Sequence, residues 1–180
     1  MDEHTENRRR IDIIKDPEFL DGLEELALDA LRQRRELADA VETELSFYRR
    51  LLHGRMDLLA FELRRRSGDE TRTLMDALPE ILAAGETAGG QEGRLPSMLA
   101  PDLPEDRRRS IDRVLEDGFL VRLPQIDDQE LNEIQSTLAD TERDVSTKRK
   151  DAQHAFDTIQ SEILRRYEEG SVDSSGLLET

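Results

Sequence analysis

The chain contains no cysteine, which excludes disulfides and thiolate metal sites. It contains no tryptophan, and aromatic residues make up only 4%, too little bulk to fill a thick globular interior. No apolar run approaches transmembrane length, and the opening stretch MDEHTENRRRIDIIKDPEF has no apolar signal core. A cytoplasmic, soluble protein with no membrane contact is expected. Positive charge is scarce as well: 26 Lys and Arg stand against 42 Asp and Glu, for a net charge of −16. Affinity for phosphate backbones comes from clustered cations, so direct DNA binding is not expected. An acidic surface instead attracts basic proteins, DNA-binding proteins among them.

Proline is also absent from two long stretches, roughly 29–66 and 128–169, whose only internal glycine is Gly54. Both stretches carry a heptad-like apolar stripe. The first runs Leu31, Ala38, Val41, Leu45, Leu52, Leu59, with Met56 and Leu63 on its shoulder. The second runs Leu131, Ile134, Leu138, Val145, Ala152, Ile159, with Phe156 and Ile163 alongside. A stripe this narrow needs one partner helix. The expected fold is all-α: a long antiparallel helical hairpin of coiled-coil type, with Leu45, Leu52, Val145 and Ala152 in the seam.

The two stretches are copies. Displacing the chain by one hundred residues aligns 11–66 with 111–166 without a gap. Ile11, Asp12, Phe19, Leu20, Leu23 and Leu31 recur as Ile111, Asp112, Phe119, Leu120, Leu123 and Leu131, and Glu62, Arg65 and Arg66 recur as Glu162, Arg165 and Arg166. The organisation is a first repeat over 1–66, a linker over 67–110, a second repeat over 111–169 and a tail over 170–180. Asp16-Pro17 reads as an N-cap with proline at the first helical position, and Asp127 or Asp128 can cap the second long helix. The linker holds four of the six prolines. Its segment TLMDALPEILAA can make a helical turn or two, while 85–94 and the tail read as disordered.

One set of positions stays in step while its neighbours drift. Glu42, Ser46, Arg49, His53 and Asp57 correspond to Glu142, Ser146, Arg149, Gln153 and Asp157. Steps of four, three, four and four place each set within an arc of about 80° and along a row roughly 22 Å long. That row lies beside the apolar stripe. Charged rows in such places are commonly salt-bridge faces. Those faces tolerate Glu for Asp and Lys for Arg, however, and they have no need of a serine, so retention of Ser, Arg and Asp in both copies favours a ligand. Arginine offers a planar fork to the O6/N7 edge of guanine or to phosphate. A carboxylate accepts the guanine N1–H and N2–H2 donors, and Ser with Gln or His can serve phosphate or ribose oxygens. A doubled set suits a two-fold-symmetric guanine ligand.

The pattern E-x3-S-x2-R-x3-Q-x3-D, once on each of two antiparallel helices, resembles the cyclic-di-GMP-binding motif of the RsiG anti-sigma factors, actinobacterial proteins also known as aerial mycelium formation proteins. The second copy matches at all five positions, and the first departs once, with His53 in place of Gln. The resemblance implies that all ten residues hold a dimer of cyclic-di-GMP, without metal. So loaded, the protein would sequester a WhiG-like sigma factor of the flagellar/sporulation type from RNA polymerase and so control sporulation genes. The alternative is a structural coiled-coil adaptor with no nucleotide ligand. Catalysis has little to rest on: His4, His53 and His154 form no metal-ligand pairing, and TAGGQEG lacks the lysine and preceding strand of a phosphate loop. The arginines at 8–10, 64–66 and 107–109 read most simply as solvated faces or caps.

Overall fold

A computed structural model describes residues 10–87 and 122–170, and every regular element in them is helical. Helix α1 (Arg10–Ile14) leads through two single 3-10 turns, Pro17–Phe19 and Leu23–Glu25, into α2 (Leu28–Ser67). After α3 (Leu74–Thr87) the chain resumes with a 3-10 turn, Leu123–Gln125, and α4 (Asp128–Glu168). The fold is an all-α helical hairpin. Both repeats keep the hundred-residue register, since the turn at Leu23 recurs at Leu123 and the long helix beginning at Leu28 recurs at Asp128. No helix among the described residues is long and apolar enough to cross a membrane.

The ends of these helices follow from local chemistry. The Asp16 carboxylate accepts from the Glu18 amide at 3.1 Å, with Pro17 opening the turn. The cap holds a 3-10 turn here, shorter than an α-helix. Of the two candidate caps on α4, Asp127 makes the bond, accepting from the Glu130 amide at 2.8 Å, while Asp128 is already inside the helix. At the other ends, Gly68 (φ 87°) and Gly170 (φ 68°) take the left-handed conformation that lets the chain leave α2 and α4.

The described chain forms two compact units: Met1–Thr43 with Thr147–Thr180, and Glu44–Ser146. Each therefore combines part of both repeats. In the first unit Arg32 bonds Tyr167, Arg35 bonds Gln160 and Arg149 bonds Glu42. In the second, Arg49 bonds Ser146, His53 meets Glu142 and Arg66 bonds Asp128. Numbers rise along α2 as they fall along α4, so the helices are antiparallel within each unit. The core repeats every seven residues. Leu31, Ala38, Leu45, Leu52 and Leu59 on α2, and Leu131, Leu138, Val145, Ala152 and Ile159 on α4, are all buried. Burying one such leucine contributes about 1.5–3 kcal/mol. Val41 and Ile163 are buried too, whereas Ile134, Met56, Leu63 and Phe156 are half-buried on the shoulders.

Helix α3 exceeds its expectation. It runs for 14 residues instead of a turn or two, and it includes 85–87, which read as disordered. The proline signal misleads here because Pro79 is exposed and removes a single backbone donor. A reciprocal cap starts the helix, with Asp76 accepting from the Thr73 hydroxyl at 2.6 Å and Thr73 accepting from the Asp76 amide at 3.3 Å. Ala77 provides its buried contact. The expectations for His4, for Ile111, Asp112, Phe119 and Leu120, for the arginines at 8–9 and 107–109, for the linker beyond 87 and for the tail beyond 170 fall outside the described residues.

Candidate functional site

The second unit holds Ser46, Arg49, His53, Asp57, Glu142 and Ser146. One carboxylate oxygen, on Glu142, gathers three of the others. Oε1 of Glu142 accepts from Ser146 Oγ at 2.7 Å and from Arg49 Nε at 3.2 Å, and His53 Nε2 lies 3.1 Å away. Arg49 Nε also donates to Ser146 Oγ at 3.1 Å. Burial by itself would push the Glu142 carboxyl up; hydrogen bonds from Ser146, His53 and Arg49 outweigh it and hold the group below the usual carboxylate range. Glu142 is therefore anionic at neutral pH. The guanidinium is anchored by its Nε edge alone, and its two terminal nitrogens donate to no other described residue.

The first unit holds Glu42, Arg149, Gln153 and Asp157. Arg149 Nη1 donates to Glu42 Oε1 at 3.1 Å, with side chains only 18% and 17% exposed. Arg149 Nε is buried and has no hydrogen-bond acceptor among the described residues. A buried donor without an acceptor costs about 1–3 kcal/mol, and an acceptor supplied by a ligand would recover it. The Gln153 side chain makes no hydrogen bond among the described residues, unlike His53 at the corresponding position.

The same relation thus occurs in both units: the arginine of one repeat holds the glutamate of the other. The row's last members behave differently. Asp57 and Asp157 are exposed, and neither carboxylate takes a hydrogen bond or ion pair from another described residue. Each copy therefore presents a positioned guanidinium and, two helical turns on, an uncommitted carboxylate. Donors and acceptors of this kind suit a ligand carrying both, as guanine does. Ser46 also lies in the second unit and is half-buried, and His154 is exposed on α4.

The other repeated residues have a structural task. Glu62 accepts from Arg65 and Arg66, each at 2.8 Å, and Arg66 continues to Asp128 at 2.7 Å and to the Leu123 carbonyl at 3.3 Å. Glu162 likewise accepts from Arg165 and Arg166, each at 2.8 Å, and Arg166 continues to the carbonyls of Leu26, Leu23 and Glu24 at 2.6, 2.7 and 2.9 Å. Each long helix ends by gripping the 3-10 turn that introduces the other repeat's helix. Arg66 is thus a cap, as the sequence allowed, but for the opposite repeat. Glu62, 2% exposed, is with Glu44 one of the two buried charges among the described residues that the apolar stripe did not disclose. Its sevenfold spacing from Val41, Tyr48 and Arg55 was the available signal.

The RsiG-like family matches residues 17–82 of this chain. That stretch contains the first motif, all of α2 and the start of α3, so the resemblance drawn from the motifs is borne out there. No curated protein matches the chain.

Proposed function

We propose that this RsiG-like chain is an anti-sigma factor that binds cyclic-di-GMP through its two motifs and, when loaded, holds a WhiG-like sigma factor away from RNA polymerase. The family match over 17–82 supports the anti-sigma role. One observation carries the ligand reading: in both copies the arginine is positioned by a glutamate while the aspartate two turns away stays uncommitted. A pure salt-bridge row would spend both carboxylates on cations. Arginine and aspartate stand eight residues apart, about 12 Å along the helix. That span exceeds what one base needs and suits stacked bases, as in a dimer of the dinucleotide. Arg49 and Arg149 take guanine edges or phosphate, and Asp57 and Asp157 accept guanine N–H donors. Glu42 and Glu142 orient the guanidinia, while Ser46, Ser146, His53 and Gln153 add hydrogen bonds to the sugar–phosphate ring.

Calorimetric titration of the full chain with cyclic-di-GMP tests the reading, with cyclic-di-AMP as the control. Saturable binding of the guanine ligand with little of the adenine ligand is expected. Equal binding of the two, or none of either, would sink it. The second reading, a nucleotide-free coiled-coil adaptor, draws on the Arg49–Glu142 and Arg149–Glu42 pairs themselves, and the absence of any heat would select it.

A further inference from the structure

The two motif copies differ at one position. Where the second has Gln153, the first has His53, and His53 stands 3.1 Å from the carboxylate oxygen that also holds Arg49. A histidine side chain can change charge between about pH 5 and 8, which glutamine cannot do. The charged residues one helical turn from His53 on its own helix are Arg49, Arg50 and Asp57, and Glu142 meets it from α4. Glu142 is 22% exposed and stays ionised across the neutral range.

We infer that ligand binding at this motif is coupled to uptake of a proton by His53, acting through Glu142. The inference rests on the dinucleotide reading. Arg49 keeps its Nε edge on Glu142 while its two terminal nitrogens meet an incoming guanine edge or phosphate, so its charge is shared between ligand and carboxylate. A half-buried carboxylate that must share its cation is costly, and His53, already in contact, makes up the charge by becoming an imidazolium. The proton is taken from solvent and adds to Nδ1 or Nε2; no covalent bond in the protein or ligand breaks. The added positive charge also favours a dianionic ligand on a chain of net charge −16. Gln153 cannot do this, so the two copies are unequal: the first is proton-linked and the second is not. His53 is therefore a positioning residue whose charge follows the ligand.

The test is titration calorimetry with cyclic-di-GMP on the full chain at pH 6, 7 and 8, in pairs of buffers with different ionisation enthalpies. The wild type should take up a fraction of a proton per binding event and bind about fivefold more weakly at pH 8 than at pH 6, the effect of one unit charge a few ångströms away in water. His53→Gln should bind with neither proton uptake nor pH dependence. Gln153→His should steepen the dependence, which keeps the test valid if the first variant folds poorly by circular dichroism. Binding without proton uptake in the wild type, or uptake that persists in His53→Gln, would overturn the inference and leave the ligand reading standing. No binding at any pH would instead overturn the ligand reading, and this inference with it.

Discussion

Arg149 holds Glu42 through one terminal nitrogen while its Nε is buried without an acceptor, and Arg49 is held by its Nε edge with both terminal nitrogens uncommitted. Two arginines at equivalent positions would therefore present different faces to a ligand. Arg149→Ala should cost about 1–3 kcal/mol of cyclic-di-GMP affinity, the range for an arginine–guanine contact, with helicity unchanged because the residue flanks the seven-residue core repeat. Calorimetry and circular dichroism on one sample check both statements. Arg149→Lys should recover little, since an ammonium lacks the planar fork. Two rows of five residues were legible in the sequence as spacing, because helical periodicity and the hundred-residue register are properties of spacing. Which carboxylates would be spent was not legible. That Glu42 and Glu142 face arginines while Asp57 and Asp157 do not depends on how α2 and α4 slide against each other within each unit, and spacing along one strand of chain does not set that offset.

Among the elements, the long helices were predicted to within a residue or two, since seven-residue apolar spacing without proline leaves few other folds. The misreading of α3 arose where a proline signal met a strong cap, Thr73 with Asp76. The crossed grips at the helix ends were also hidden, although Glu62, Arg65 and Arg66 and their copies were visible as repeats, because all but one of their acceptors on the other repeat are backbone carbonyls with no sequence signature. Arg166 is 13% exposed and donates to three of them. Arg166→Ala should lower unfolding stability by about 1.5–3 kcal/mol, read from a urea titration. The grip is also acid-sensitive. Hydrogen bonding from Arg165, against the cost of burial and helped by Arg166, holds the Glu162 carboxyl down from 4.5 to about 2. The folded group binds its proton less readily than the unfolded one, so its stabilising contribution is complete above about pH 4.5 and is lost as the pH falls toward 2. The thermal midpoint should decline through that window, and less steeply in Glu162→Gln.

For the molecule as a whole, the −16 charge and the RsiG-like match point the same way, toward masking a basic DNA-reading partner. If cyclic-di-GMP touches both this chain and the sigma factor, each must tighten the other's binding by the same factor. Adding the dinucleotide should drive a purified WhiG-like sigma factor into complex, and the complex should weaken as salt rises. Arg49→Ala/Arg149→Ala should abolish the dinucleotide effect on co-elution while the chain stays folded. A sigma factor that co-elutes equally with and without dinucleotide would remove the switch. Composition made the acidity plain, and acidity favours basic partners. The partner's identity had no such signal, because complementarity of charge selects a kind of surface and not a particular protein.

The grip of Arg166 on Leu23, Glu24 and Leu26 joins residues more than 130 positions apart in sequence, and this has a kinetic reading. Amide hydrogens exchange when their segment opens, and segments that open together share one opening free energy. The amide of Leu26, bonded to the Leu23 carbonyl at 3.3 Å, and those in the last turns of α4 should therefore exchange with a common dependence on denaturant. The beginning and the end of the described chain would then breathe as one body. Loosening the final turn of α4 by Arg166→Ala should speed exchange at Leu26 about as much as in the last turn of α4 itself.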